Sequence, residues 1–398
     1  MRVGVLTREY PPEVYGGAGV HVEHLTREMA RHVDVAVHCF GAPRDSPLVA
    51  GTYRPWSVLQ SGRPEGAALA TMSVDLAMAG ALQGLDVVHS HTWYANLAGH
   101  LAKLLWDVPH VCTTHSLEPL RPWKREQLGG GYALSGFCER TALEAADAVI
   151  AVSQAMREDL LAVYPGVDGA RVQVIHNGID ADQFRPVPGR EALGRHGIDV
   201  GRPIVVFVGR ITRQKGLQHL LRAAPLLDRS AQLVLVAGSP DTPEIAAEVR
   251  TLYEAALSGG ASIVWAEGIM PHADLLEVLT AATVFACPSV YEPFGLVNLE
   301  AMACETAVVA SAVGGIPEVV ADSETGYLVP CDPVAVAAQP EAAREFEVGL
   351  ADRINQLIRD PGLATALGRA GRRRVLEAFT WERVAERTVD LYRSLLPG

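Results

Sequence analysis

Two carboxylates, Glu292 and Glu300, stand eight positions apart in the stretch SVYEPFGLVNLEAMACETAVVAS (289–311). Between them a turn through Pro293 and Gly295 leads from an apolar strand ending near Ser289 into a helix starting at Leu296. Gly295 at that helix start leaves the first N–H groups, those of Leu296 and Val297, open to a ligand. They carry the positive end of the helix dipole, an environment suited to phosphate. Glu300 lies about 6 Å further along the axis at 1.5 Å rise per residue, within reach of a ribose whose phosphates sit at the turn. Glu292 stays in the loop and faces what is attached beyond the phosphates. Anchors for phosphate, ribose and sugar in one turn point to a nucleotide-sugar enzyme.

A second group of candidates follows another apolar run, PIVVFVG (203–209). In GRITRQKGL (209–217) two cations, Arg210 and Lys215, leave a strand end in a glycine-bounded loop. They can neutralise a diphosphate and stabilise the charge that builds as it departs. Near the start of the chain, Gly16 and Gly17, with Gly19, precede a helix and offer a phosphate cradle. The G-x-G-x-x-G pattern is not met, because Val22 occupies the third glycine's place, and no acidic residue ends the next strand. A dinucleotide-binding domain is disfavoured on both counts. His115 follows the strand PHVCTT and can hydrogen-bond a sugar hydroxyl or cap a turn. His89 and His91 read as satisfied turn histidines. In HNGID (176–180), Asn177-Gly178 is a turn signal. The D-x-D of Asp180 and Asp182 reads as a capping turn, so no metal is expected.

Carboxylates and cations act in concert only if the chain positions them, and the alternation of elements supplies the frame. β-branched runs at 3–7, 33–39, 86–89, 109–114, 148–153 and 172–176 alternate with helical patterns. A second series at 203–209, 232–238, 262–265, 283–289, 307–311 and 326–330 follows a Pro- and Gly-rich linker at 184–190. Fully apolar strands alternating with helices make parallel sheets covered on both faces. The expected fold is α/β, with two doubly wound Rossmann-like domains facing a cleft. Residues 1–185 form the first domain, 186–380 the second, and a last helix in 381–398 follows. Ligands in such sheets sit beyond the carboxyl ends of the strands. The Ala- and Glu-rich stretch 335–350 reads as a solvated insertion.

Composition narrows the partners. The chain has 398 residues and a net charge of −12, which argues against nucleic acid or an anionic membrane as main partner. No apolar run reaches the length of a membrane span. The six cysteines are scattered without a C-x-x-C pair, as buried thiols in a reducing cytoplasm would be. The opening MRVGVLT is a strand and not a signal peptide.

Taken together, Gly16-Gly17, His115, the stretch 177–180, Arg210 with Lys215, Glu292 to Glu300 and Gly314-Gly315-Ile316-Pro317-Glu318 resemble the retaining GT-B glycosyltransferases. Their order covers almost the whole chain. The stretches 7–22 and 114–153 are similar to the short actinobacterial glycogen synthases now described as α-maltose-1-phosphate synthases. The resemblance implies that Arg210 and Lys215 bind the diphosphate, Glu300 the ribose, Glu292 the donor sugar and His115 its O6. Gly16, Gly17, Asn177, Gly295, Leu296 and Val297 belong to the nucleotide-sugar site, and Glu9 to the acceptor side. It implies ADP-glucose as donor, no cofactor, and a last helix crossing back onto the first domain. Where longer glycogen and starch synthases have K-T-G-G this chain has Val14-Tyr15-Gly16-Gly17, and their Asp before Trp is Thr92. Those departures favour a small acceptor over a glucan.

The loop LEPLRPWKREQ (117–127) carries Arg121, Lys124 and Arg125 in an otherwise acidic protein. A glucan has no charge for them to meet, whereas glucose 1-phosphate does. The expected reaction moves glucose from ADP-glucose to glucose 1-phosphate, giving α-maltose 1-phosphate, with α-glucan elongation weaker. Attack is expected on the front face, since Glu292, the one carboxylate placed near the sugar, is assigned to hydroxyls and not to a nucleophile's role. A nucleotide-sugar epimerase and a two-lobed sugar-binding protein are the rival readings; ADP released only with acceptor would separate transferase from both. A homodimer is left open.

Overall fold

Alternation of strand and helix continues through the computed structural model. It describes residues 1–397 apart from 15, 60–63, 122–123, 239 and 269, with backbone alone at 64–65 and 126–127. Tyr15 therefore lies outside the described residues. The chain divides into two compact units, Met1–Gly178 with Trp381–Gly398, and Ile179–Thr380.

The first unit holds a seven-stranded sheet. Its strands are β1 (Arg2–Thr7), β2 (Asp34–Phe40), β3 (Val49–Tyr53), β4 (Val87–His91), β5 (His110–Thr114), β6 (Ala148–Ala151) and β7 (Val172–Val174). The order is β3-β2-β1-β4-β5-β6-β7 and every pairing is parallel. The edge strand β3 was not visible as a β-branched run, because VAGTY carries a glycine and none of its residues is fully buried. In β1 the side chains divide between the faces at the two-residue period of a strand. Val3 and Val5 join a core with Val22, Leu25, Met29 and Tyr392. Leu6 joins a second core with Val74, Met78 and Val88. The last helix, Trp381–Leu395, belongs to this unit, burying Trp381, Val384, Thr388 and Tyr392 at helical spacing.

The second unit holds six strands, β8 (Ile204–Arg210), β9 (Gln232–Gly238), β10 (Ile263–Glu267), β11 (Val284–Cys287), β12 (Ala307–Ser311) and β13 (Gly326–Val329). Their order is β10-β9-β8-β11-β12-β13, again parallel throughout. Chain direction across each sheet reverses once, at β1/β4 and at β8/β11, the switch points beyond which ligands of such sheets bind.

Two expectations need correction. The stretch 335–350 is not a solvated insertion. It lies in helices Pro333–Ala338 and Pro340–Arg359, and the longer one buries Phe346, Leu350, Ile354 and Leu357 in the core of the second unit. Glu341 and Glu345 are exposed, but Glu347 and Ala351 share the buried face, and that mixture masked the stripe. The Pro- and Gly-rich segment 184–190 also packs with the second unit, and the division falls ahead of residue 185. The Ile179 N–H donates to Phe379 O, the Val187 N–H to Thr280 Oγ1, and Phe184 meets the His272 ring edge-on. Phe346 is 2% exposed, so Phe346→Ala should lower unfolding stability by about 3–5 kcal/mol. Urea denaturation measures this, and a loss below about 0.5 kcal/mol, the surface value, would mark the helix as peripheral.

Candidate active site

In the second unit three strand-end turns are locked together by backbone. After β8 the Arg213–Lys215 turn ends at Gly216, whose φ is +65°. A Cβ there would lie 1.9 Å from the Pro288 carbonyl oxygen, so only glycine lets the turn close against the segment after β11. The Val290 N–H then donates to Gln214 O. After β12, Gly314 at φ +52° approaches Glu292 in the same way, and the Gly315 N–H donates to Glu292 O. Phe294 is buried beneath the turn and meets Phe379. Gly295 caps the helix Leu296–Ala303, whose first-turn N–H groups at Leu296 and Val297 have no intrahelical acceptor by geometry.

This scaffold brings Lys215 and Glu292 into contact. Lys215 Nζ donates to Glu292 Oε2 at 2.7 Å, with the two side chains 17% and 10% exposed. Burial is the largest single influence and opposes the Lys215 charge, but Glu292, Cys287 and Glu300 together outweigh it and hold the ammonium above its ordinary pKa. Sequence reading assigned the two residues to different parts of a ligand and did not pair them. Arg210 is also paired, donating from Nη1 to Asp241 Oδ1 at 3.1 Å. Asp241 follows β9 and carried no motif, so only its contact identifies it. Burial pushes the Glu300 carboxyl up to about 7, with Lys215 pulling it back.

In the first unit the glycine turn is already satisfied by an anion. Glu9 Oε2 accepts the Gly16 N–H at 2.8 Å, and Gly19 leaves room for the Glu9 side chain, which a Cβ would meet at 2.8 Å. Gly17 begins the helix Gly17–Met29. Asn177 is buried, its Oδ1 accepting His21 Nδ1–H at 2.7 Å.

His89 and His91 are not turn residues. Both lie in β4, fully buried. His89 bonds Tyr392 OH through Nδ1 and Thr113 Oγ1 through Nε2. His91 Nδ1 lies 3.0 Å from His115 Nε2. The turn reading failed because strand β4 runs three residues beyond its last apolar side chain, Val88. His21 meets His115 edge-on at 4.7 Å, and Trp381 at 5.2 Å, while His24 stacks on Trp381. The spacing of His21 and His24 on one helix face was the available signal for these two. Burial lowers His21 to about 4 and carries His89, His91 and His115 well below the ordinary imidazole range. The cluster is therefore neutral at pH 7, fit for neutral hydroxyls and unsuited to holding a phosphate.

Behind the basic loop, Arg121 Nη1 donates to Ser116 Oγ, and its guanidinium stands 3.8 Å from Glu118 Oε1. Glu118 is buried and takes Ser135 Oγ–H on Oε2. Glu139 accepts the Glu118 N–H and Tyr164 OH; burial and then the Glu118 charge raise it to about 8. Lys124 opens the short helix Lys124–Leu128, and Arg125 lies over the Tyr132 ring.

Comparison with known proteins gives this arrangement a family. Residues 15–183 match Glycosyltransferase Family 4 and residues 190–374 match Glycosyl transferases group 1. The chain is 54% identical to the α-maltose-1-phosphate synthase of Mycolicibacterium smegmatis, covering 99% of this chain and 100% of that one. The α-maltose-1-phosphate synthase of Mycobacterium tuberculosis is similar to the same extent. The chain is a GT-B glycosyltransferase of the family that includes these two synthases. Among solved structures, the sucrose-phosphate synthase from Thermosynechococcus elongatus superposes with a TM-score of 0.76 at 27% identity, over 99% of this chain and 98% of that chain.

For this glycosyltransferase the pairing of Lys215 with Glu292 predicts a stability effect apart from chemistry. Glu292→Ala leaves an ammonium buried without its partner and should cost about 3 kcal/mol. Lys215→Met with Glu292→Leu should recover most of that loss. Urea denaturation of both variants checks this; equal losses in the two would show the pair to be unimportant.

Proposed function

We propose that this glycosyltransferase moves glucose from ADP-glucose to glucose 1-phosphate, with retention, to give α-maltose 1-phosphate. The likeness to α-maltose-1-phosphate synthases over essentially the full chain carries the reading. The basic loop of the first unit supports it, since a charged acceptor gives Arg121 and Lys124 a ligand that a neutral glucan does not. The second unit supplies the donor groups. Leu296 and Val297 N–H with Arg210 and Lys215 take the diphosphate, Glu300 the ribose hydroxyls and Glu292 the glucose. As the glycosidic bond to phosphate breaks, charge grows on the leaving diphosphate. The two cations stabilise it, and a diphosphate oxygen takes the proton of the attacking acceptor hydroxyl. His115, neutral, serves as a partner for the glucose O6. The reaction needs no metal and no further cofactor, so activity should persist in EDTA.

Incubation with ADP-, UDP- and GDP-glucose and each acceptor, followed by mass spectrometry, tests this directly. The expected result is a disaccharide phosphate from ADP-glucose and glucose 1-phosphate, with a higher kcat/KM than for glycogen. Arg121→Ala with Lys124→Ala should depress the glucose 1-phosphate rate and spare the glycogen rate. A preference for glycogen, or an unchanged glucose 1-phosphate rate in that double variant, overturns the acceptor assignment.

A pH dependence follows from Glu300. Its carboxyl titrates at about 7, so it is a neutral acid below that pH and a carboxylate above it. The carboxylate accepts ribose hydroxyls more strongly, and donor affinity should therefore rise as pH increases from 6 to 8. ADP-glucose is the suitable probe, because its two phosphates do not titrate in this range. Calorimetric titration without acceptor should show the rise in the native protein and its loss in Glu300→Gln. An equal slope in both would remove Glu300 from ribose recognition.

A further inference from the structure

Among the described residues, His21, His91 and His115 form a group in which one ring nitrogen of each lies within 4.8 Å of the other two. His21 and His91 are 2% and 0% exposed, and the Nε2 atom of His21 is buried with no hydrogen-bond partner among the described residues. For His21 the tautomer is decided by its neighbour. Asn177 Oδ1 can only accept, so Nδ1 carries the proton and Nε2 presents a bare lone pair into the group. A buried carbonyl-type oxygen on one ring nitrogen and an open lone pair on the other is the arrangement by which proteins orient a metal-binding imidazole. His91 and His115 are linked at 3.0 Å, and His115 is half-buried, which leaves a route of entry from solvent.

We propose that His21, His91 and His115 constitute a binding site for a single borderline transition-metal dication such as Zn²⁺. Three neutral imidazoles suit Zn²⁺, Co²⁺, Ni²⁺ or Cu²⁺ and discriminate against Mg²⁺ and Ca²⁺, which take oxygen ligands. Tetrahedral zinc holds its nitrogens at about 2.0–2.1 Å and hence about 3.4 Å from one another. The His91–His115 separation has to widen slightly to reach this and the wider ones to contract, and the bond between His91 and His115 gives way to two bonds to metal. Each ring keeps one N–H and binds as a neutral ligand, with the fourth position left to water. Trp381 and the His89–Tyr392–Thr113 bonds hold the surrounding rings in place. His115 then has no lone pair for a sugar hydroxyl, so the metal would act as a reversible inhibitor of the reaction proposed above.

Titration of Co²⁺ into the full-length protein, stripped of metal by chelator, tests the site without using activity. The expected result is the visible absorption of four-coordinate Co²⁺, saturating at one ion per chain and abolished by Zn²⁺. His21→Gln and Asn177→Ala should each weaken Zn²⁺ binding about tenfold or more, while His24→Gln, outside the group, should not. X-ray absorption at the zinc edge of the unaltered protein should count three imidazole nitrogens, a readout that needs no variant to fold. Absence of the Co²⁺ bands, fewer than three imidazole ligands, or unchanged binding in a folded His21→Gln protein overturns the site. None of these outcomes depends on which sugar the enzyme transfers, so failure here and failure of the acceptor reading are separable.

Discussion

A Cβ at position 314 would stand 2.0 Å from the carbonyl oxygen of Glu292, and one at position 216 would stand 1.9 Å from that of Pro288. Everything at the carboxyl edge of the second sheet depends on these two approaches. They draw the turns after β8 and β12 onto the turn after β11, so that three loops behave as one body. Lys215, largely buried in the body so formed, reaches Glu292, and Gly295 caps the helix start. A site assembled from loops is ordinarily mobile; here backbone contact supplies the rigidity that helices and strands give elsewhere.

That rigidity has an electrostatic consequence. The chain is strongly acidic overall, yet the cations expected to meet a diphosphate are held in place by carboxylates, Arg210 by Asp241 and Lys215 by Glu292. Pairing keeps each side chain in one orientation and offsets the cost of burying its charge. It also lowers the net positive charge available to an anion, so the diphosphate binding proposed above would rest on backbone N–H groups and geometry as much as on charge. The histidine cluster of the first unit follows the opposite rule. Among the described residues no carboxylate forms an ion pair with its rings, burial disfavours their charged form, and the result is a wall of neutral imidazoles.

The last helix joins these themes at a distance in sequence. Trp381 packs against His21 and His24, and Tyr392 bonds His89. Residues near the chain's end therefore set the orientation of rings on β4 and on the first helix. The same helix fills one face of the first sheet beside Val22, Leu25 and Met29. Its packing role and its hold on the histidines arise from a single amphipathic stripe.

The two-sheet architecture was legible from sequence because parallel strands buried on both faces read as uninterrupted apolar runs, as in IVVFV and LVLVA. The exception, β3, is an edge strand whose residues are only partly covered, and partial burial writes no such pattern. The turn at Glu292–Gly295, the cations at 210 and 215 and the basic loop were likewise visible, since local spacing and residue type define them. The pairing of Lys215 with Glu292, 77 positions apart, was not. Nor were Asp241 beside Arg210, Glu9 on the Gly16 N–H, or the helix 340–359 as core, whose apolar stripe is diluted by Ala and Glu. The residue types and the local elements were determined by the sequence as read alone. Which charges neutralise one another, and which imidazoles share a buried space, only the tertiary structure decided, because electrostatic and desolvation effects depend on distance in space and leave no periodic trace along the chain.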